Sequence, residues 1–362
     1  MAFYKVDPPM DSLKNKLYEL LKKSEGYTKT DMVYLARGGF WLVFGYGGQL
    51  ISGLILTIAL ANLLPKESYG TYQFIISISA IIGGFSLSGM SIALMRASAQ
   101  GTGNALHYAF KSQLSWSLGI IVTSGSLALY YFLNGNAGLA IALLIIGACM
   151  PFLNGFSLYR PFLEGKGLFR DSTTLGIWRR PIPVIAVLMT LLFTDSPVVL
   201  IAIYFLSQTF SMGLLYWIVA QKYSWPTETS PELLNYSKHL SVINIVGIIA
   251  NNADKILVFH FLGAAPVAIY TLAQLPSTHI LKMFGLLGNL IFPKFTRRDL
   301  DTLRATIIHK ISVYFFATTV VVTLYIVSAP FVFKILFPAY QEAIILSQVL
   351  VFVVLLKPFT LY

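Results

Sequence analysis

Four basic side chains and one acidic side chain lie inside long apolar stretches of the sequence. They are Arg179, Arg180, Lys255, Lys282 and Asp254. At the centre of a membrane-spanning helix each charge would cost about 2.5–3.5 kcal/mol, so each is expected to face a cavity or a partner. Four positive charges and one negative charge leave a net charge of +3. A cavity lined by these groups would suit an anionic ligand.

The adjacent arginines, Arg179 and Arg180, have the chemistry to bind a phosphate or pyrophosphate group. A guanidinium group presents planar, paired donors that match phosphate oxygens. Pro181 and Pro183 follow directly, and because proline removes a backbone donor, they predict a kink or an opening of the helix there. The alternative is that both arginines extend to the cytoplasmic headgroups, about two turns or 9–10 Å away.

A second polar set lies on a later apolar segment. Asn244, Asn251 and Lys255 are separated by seven and four residues, which places them within about 40° of one another on a helix and predicts an inward-facing stripe. Asp254 projects about 100° from Lys255. It could form an ion pair with Lys282 or the adjacent lysine, or it could bind a coupling proton or cation; we favour the ion pair.

The rest of the sequence offers few other chemical groups. The five histidines lack metal-ligand spacing, and His279 is expected to pack or hydrogen-bond in preference to sensing pH. Cys149, the single cysteine, lies in an apolar run and is expected to be a small core residue. Sequences of the Walker A, G-x-S-x-G and H-E-x-x-H types do not occur. We therefore expect neither an enzyme nor a cofactor, and coupling to a proton or sodium gradient stays open.

The composition predicts an all-α integral membrane protein. Of the 362 residues, 56% are hydrophobic and only 11% are charged, and the mean hydropathy is +0.71, whereas soluble domains carry about 25% charged residues. About 20 apolar residues cross the hydrocarbon layer as a helix. The sequence predicts ten such spans, near residues 39–63, 72–95, 112–133, 137–158, 173–194, 197–220, 240–262, 266–292, 311–332 and 340–357.

The distribution of basic residues predicts the orientation. With the N-terminus inside, the predicted cytoplasmic segments hold nineteen Lys and Arg, whereas the predicted exterior loops hold only Lys66 and Lys334. This asymmetry predicts a multi-pass protein of the inner (plasma) membrane with a cytoplasmic N-terminus. The net charge of +11 follows from the same bias and does not indicate nucleic acid. Residues 1–37 are a cytoplasmic tail that either forms an interfacial helix on membrane lipids or stays solvated.

An internal repeat divides the sequence into two lobes. The segment 64–72 (LPKESYGTY) resembles 262–270 (LGAAPVAIY) at an offset of 198 residues. Six spans separate the copies, so the halves are predicted to be parallel repeats about an axis along the membrane normal. We assign 38–220 to the N-lobe, 221–238 to a linker and 239–362 to a partial C-lobe. A complete second lobe would end near residue 418, so the C-lobe is expected to be truncated by about two helices.

Several short motifs resemble those of a known family. Leu64-Pro65 with Tyr69-Gly70 and Tyr72, then Gly89, Ala93 and Arg96, and later Asn252-Ala253-Asp254-Lys255, Leu262-Gly263 and Ala268-x-Tyr270, are similar to motifs of the Wzx-type polysaccharide flippases. These flippases belong to the multidrug/oligosaccharidyl-lipid/polysaccharide exporter (MOP) superfamily. The resemblance implies two six-helix lobes around a cationic cavity, alternating access and a polyprenyl-pyrophosphate-linked oligosaccharide as cargo.

On this basis the substrate-binding residues are expected to be Arg179, Arg180, Asn244, Asn251, Lys255 and Lys282, with other polysaccharide-assembly membrane proteins as further partners. Three alternatives stay open. A drug exporter of the same superfamily would want acidic cavity residues for cationic drugs. A membrane polymerase or ligase would need a sizeable exterior loop, and those near 134–137, 195–197 and 263–266 are short. The third is an interaction scaffold or an inactive fragment.

Overall fold

The computed structural model describes residues 32–101, 105–223, 231–291 and 300–360. Over these residues the chain is helical, with short turns and without strands. The α-helices are α1 Met32–Leu63, α2 Lys66–Gly84, α3 Met90–Ala99, α4 Ala105–Trp116, α5 Leu118–Leu133, α6 Ala137–Phe156, α7 Tyr159–Gly165, α8 Phe169–Arg179, α9 Pro181–Leu191, α10 Pro197–Tyr223, α11 Pro231–Ala250, α12 Ala253–Leu262, α13 Ala264–Ile291, α14 Leu300–Leu336, α15 Ala343–Leu350 and α16 Lys357–Thr360. Pro338–Tyr340 and Val351–Leu356 are 3-10 turns.

Seven helical segments within the described residues are long and apolar enough to cross a membrane. They are Phe44–Leu63, Ala105–Leu133, Ala137–Gly165, Phe169–Leu191, Pro197–Tyr223, Leu233–Leu262 and Tyr314–Leu336. The predicted class, a helical multi-pass membrane protein, is confirmed, but the predicted count of ten spans is not. The other three predicted spans fall on α2 and α3, on α13, and on the shorter apolar segment Ala343–Phe359.

The largest core cluster joins both halves of the chain at one end of the molecule. Tyr69, Phe74, Ala268, Phe333 and Tyr340 are all buried in it. A stacked ring pair, Phe74 on α2 and Phe259 on α12, adds to this contact, with the ring centroids 3.6 Å apart. The charge distribution predicts this end to be exterior, so the two predicted lobes meet tightly on that side.

A second core cluster joins the predicted N-lobe to the start of α11. Met90 and Leu94 of α3, Leu163 of α7 and Val219 of α10 are buried there, together with Leu233 at the start of α11. Residues 231–238 of the predicted linker therefore form the first turns of α11, and they pack on the predicted N-lobe. Two cation–π contacts support this packing: Arg96 lies 5.2 Å from the centroid of the Tyr236 ring, and Lys238 lies 5.0 Å from that of Trp116.

Candidate functional site

Helix α2 and helix α3 are separated by a non-helical segment, residues 85–89, within a stretch that the sequence predicts as one span. Ser86 stabilises the end of α2, because its hydroxyl donates to the Gly83 carbonyl over 2.8 Å. Gly89 allows α11 to approach closely, since a Cβ there would lie 2.5 Å from the Leu240 Cβ. The Gly89 N–H also donates to the Ser241 Oγ over 2.9 Å.

A second interruption separates α11 from α12 at Asn251 and Asn252. The Asn251 Nδ2 donates to the Gly247 carbonyl over 2.8 Å, and the Asn252 Nδ2 donates to the Ile248 carbonyl over 2.9 Å. The Asn252 side chain thereby bonds the Ile248 carbonyl, since the Asn252 N–H donates to the Ile249 carbonyl instead, and the Asn251 side chain adds a second bond to the Gly247 carbonyl, which also accepts the Asn251 N–H. Inside a membrane, non-helical backbone is tolerated where it is buried in protein or lines a water-filled cavity.

The two interruptions border one cavity of about 430 Å³. Eight polar residues line it together with apolar residues, namely Ser86, Ser88, Ser91, Gln113, Asn154, Ser157, Asn251 and Asn252. Its lining, all from the described part of the chain, contains no charged side chain. The cavity is therefore polar but neutral.

A hydrogen-bond network fixes one wall of this cavity. The Gln113 Nε2 donates to the Ser86 Oγ over 3.0 Å, and the Asn154 Nδ2 donates to the same oxygen over 3.1 Å and to the Gly83 carbonyl over 3.3 Å. Gln113 is only 3% exposed. Its Oε1 and the Ser88 Oγ are buried and have no hydrogen-bond partner among the described residues.

The arginine pair lies at another break in a helix. Helix α8 ends at Arg179 and α9 begins at Pro181, which confirms the interruption predicted from the two prolines. Arg180 keeps helical dihedral angles (φ −58°, ψ −37°), and its N–H donates to the Gly176 carbonyl over 3.3 Å. Helical backbone bonding thus continues as far as Arg180, while Pro181 and Pro183 have no N–H to donate.

The two guanidinium groups lack acidic partners in the part of the chain that the structure describes. The Arg180 Nη1 donates to the Gly45 carbonyl of α1 and lies 3.3 Å from the position of a Cβ at Gly48. The Arg179 Nε is buried without a hydrogen-bond partner. Salt bridges in the described ranges join Lys66–Glu342, Arg160–Glu164 and Lys222–Asp171. The paired positive charges therefore have no carboxylate to neutralise them there.

Asp254 lies in the first turn of α12 and is bound by neutral donors. The Tyr270 hydroxyl donates to its Oδ2 over 2.7 Å, the Gln274 Nε2 donates to the same oxygen over 3.0 Å, and the Lys255 N–H donates to Oδ1 over 2.8 Å. None of the salt bridges within the described ranges includes Asp254. The ion pair expected with Lys255 or Lys282 is therefore not formed in this structure, because Tyr270 and Gln274 of α13 occupy the carboxylate.

The lysines and His279 form a second basic region. Lys255 is half-buried on α12, and exposed Lys282 on α13 lies close enough for the two charges to repel. The His279 Nδ1 lies 3.3 Å from the Tyr46 hydroxyl of α1. Arg180 contacts the neighbouring residue, Gly45. Gly45 and Tyr46, consecutive residues of α1, thus contact Arg180 of the predicted N-lobe and His279 of the predicted C-lobe.

The predicted substrate-binding residues do not form a single cluster. Arg179 and Arg180 lie beside α1, Lys255 and Lys282 lie on α12 and α13, and Asn251 lines the neutral cavity. Asn244 lies half-buried on α11, about two turns before Asn251.

Three residues of the cavity wall, Gln113, Asn154 and Ser88, are not among the residues predicted from the sequence, because they are uncharged and lie outside the polar stripe of Asn244, Asn251 and Lys255. The signal that could have identified Gln113 and Asn154 is an uncharged amide within an apolar segment, where polar groups need hydrogen-bond partners.

Comparisons with known proteins agree with this architecture. Residues 35–298 match the family model described as "Polysaccharide biosynthesis protein". No curated protein matches the chain in sequence.

Solved structures with a similar fold include MATE in complex with MaD3S, at 17% identity and a TM-score of 0.63 over 91% of this chain and 80% of that one. An inward-facing multidrug resistance MATE family transporter of the MOP superfamily matches at 16% identity with a TM-score of 0.59, over 86% and 79%. A MOP superfamily transporter from Pyrococcus furiosus, whose reversed binding-pocket polarity suggests a different function, matches at 16% with a TM-score of 0.58, over 91% and 78%. The chain therefore has a MATE-like fold.

Proposed function

The chain belongs to the polysaccharide biosynthesis protein family, as its resemblance to the Wzx-type flippases predicts, and we propose that it is a membrane transporter for lipid-linked sugars. It moves a polyprenyl-pyrophosphate-linked oligosaccharide from the cytoplasmic to the outer leaflet of the plasma membrane by alternating access. The product serves the assembly of a cell-surface polysaccharide. In this proposal Arg179 and Arg180 bind the pyrophosphate, and Lys255 and Lys282 add positive potential along its path.

The unneutralised arginine pair is the observation that carries this proposal. The buried Arg179 Nε lacks a hydrogen-bond partner among the described residues, and Arg180 donates to the Gly45 carbonyl but forms no salt bridge with a described carboxylate. Charged groups in membrane segments are expected to pair with one another, with backbone carbonyls or with ligands. A pyrophosphate supplies both the negative charge and the planar acceptor pairs that guanidinium groups prefer.

The same charge disfavours the second candidate, a cation-coupled drug exporter with this fold. A cationic drug would be repelled by Arg179 and Arg180. Asp254, the acidic residue next to Lys255, already accepts hydrogen bonds from Tyr270 and Gln274. Exterior-face chemistry by a polymerase or ligase has no support in the short turns after α5 and α9.

Arg180→Ala in cells that depend on this protein for surface polysaccharide tests the proposal. We expect export at equal protein abundance to fall about tenfold or more, since a charge-assisted hydrogen bond contributes about 1.5–3 kcal/mol. Arg180→Lys should restore export only in part, because a point charge cannot reproduce the planar fork. Arg170→Ala is the matched control, since Arg170 is an exposed arginine on the same helix, α8. Undiminished export by Arg180→Ala would show that this residue only anchors the helix at the membrane surface.

A further inference from the structure

We propose that the neutral cavity between the α2–α3 and α11–α12 interruptions binds an uncharged, hydroxyl-rich sugar unit. This inference rests on the proposed function and deepens it. The sugar and the pyrophosphate would be recognised at separate places, because neither arginine lines the cavity and Arg180 instead contacts Gly45 of α1. The cargo would thus be held at two chemically distinct places.

Gln113 gives the strongest argument. Gln113 lines the cavity; its Nε2 is committed to Ser86, while its Oε1 is buried and has no partner among the described residues. A buried acceptor left unpaired costs about 1–3 kcal/mol. A donor on a ligand would remove this cost, and a sugar hydroxyl is such a donor.

The neighbouring groups have the same character. Asn154 spends its amide donors on Ser86 and Gly83, so its side-chain carbonyl is the group left for a ligand. The Ser88 Oγ, also without a partner in the described chain, can both donate and accept. Gln113, Asn154 and Ser88 together offer more acceptors than donors, which matches the donor-rich rim of a sugar.

The uncharged, polar lining disfavours the main competing ligands, and the volume of the cavity suits a small ligand. The lining contains no charged side chain among its described residues, so a pyrophosphate would be poorly neutralised there. A wholly apolar molecule would leave Gln113 and Ser88 unpaired. The volume of about 430 Å³ lies within the range of about 300–1,000 Å³ that small-ligand sites occupy.

The test compares two lipid probes on the purified full chain. One is sugar-free polyprenyl pyrophosphate, and the other is the same lipid carrying one neutral N-acetylhexosamine, each titrated by intrinsic tryptophan fluorescence. Wild-type protein should bind the sugar-bearing lipid more tightly. Gln113→Leu should remove most of that preference, and Ser88→Ala should weaken binding of the sugar-bearing lipid about fivefold, while both leave the sugar-free lipid unaffected.

Two features keep the result interpretable. Ser88→Ala breaks no hydrogen bond of the described chain, so it answers the question even if Gln113→Leu fails to fold. Ser115→Ala is the matched control, since exposed Ser115 bonds only the Lys111 carbonyl on α4 among the described residues.

Equal wild-type affinity for the two lipids, or equal losses for both lipids in the variants, would overturn the sugar site and leave the proposed function standing. Wild-type protein that binds neither lipid would instead refute the proposed function.

Discussion

Gly70 lies so close to Ala264 that a Cβ at position 70 would fall 1.8 Å from the Ala264 carbonyl oxygen. The two residues come from the two copies of the repeated segment, 64–72 and 262–270. At the same end of the molecule Lys66 forms a salt bridge with Glu342, and the Tyr69 and Tyr340 rings make an edge contact with centroids 6.3 Å apart. The two halves of the chain are therefore closed against each other at the end predicted to be exterior.

Replacing Gly70 by leucine should prevent this closure. No side chain fits where a Cβ would meet backbone at 1.8 Å, so α2 and α13 must separate. We expect a Lys66→Cys/Glu342→Cys pair to be joined efficiently by a short bifunctional maleimide in the parent protein, and several-fold less efficiently with Gly70→Leu. Gly53→Leu is the control, because a Cβ at Gly53 meets open space. Equal cross-linking in all three proteins would show that the helices do not rely on this contact.

The orientation can be tested with single cysteines, because Cys149 is buried. Glu67→Cys and Lys166→Cys both place a thiol at an accessible position. Since basic residues concentrate on the predicted cytoplasmic side, an impermeant maleimide should label Glu67→Cys in intact cells and should reach Lys166→Cys only after the cells are opened. Labelling of Lys166→Cys from outside would reverse the topology.

The contacts of Asp254 predict which partner matters for stability. Tyr270→Phe removes the 2.7 Å hydrogen bond to Asp254. It should lower the free energy of unfolding by about 1.5–3 kcal/mol, the usual contribution of a hydrogen bond to a charged group, and Asp254→Asn should lower it by about as much. Adding Lys282→Met to Asp254→Asn should not restore the lost stability, because Asp254 and Lys282 form no salt bridge in the described structure.

Thermal unfolding of the purified variants measures this. Full rescue by Lys282→Met would favour the ion pair expected from the sequence. If Asp254→Asn instead keeps its stability and loses only the response of transport to an imposed proton or sodium gradient, Asp254 is a coupling-ion site.

Composition and periodicity are sufficient to predict the class of fold. Long apolar segments specify membrane-spanning helices because the bilayer leaves few alternatives, and Pro181 and Pro183 specify a helix break because they lack backbone donors. The breaks at 85–89 and at Asn251–Asn252 lack proline, and they depend on packing against Leu240 and on side-chain bonds to Gly247 and Ile248. Such tertiary contacts are not encoded in local propensity.

The partner of Asp254 shows the same limit on site prediction. Residue spacing placed Lys255 and Lys282 within plausible reach, and Coulomb attraction favoured them. Tyr270 and Gln274, one turn apart on α13, occupy the carboxylate instead. The choice between these donors depends on the rotation of α12 relative to α13, and a single sequence does not specify that rotation.

Transport of a defined lipid by the purified chain tests the central claim most directly. Liposomes would carry polyprenyl pyrophosphate linked to a neutral sugar, and an impermeant sugar-oxidising enzyme outside would report the fraction of sugar exposed over time. Wild-type protein should make the inner-leaflet pool accessible several-fold faster than protein-free liposomes do, and Arg180→Ala should be close to the protein-free rate. An unchanged rate with folded wild-type protein, together with transport of a cationic drug in the same liposomes, would contradict the account.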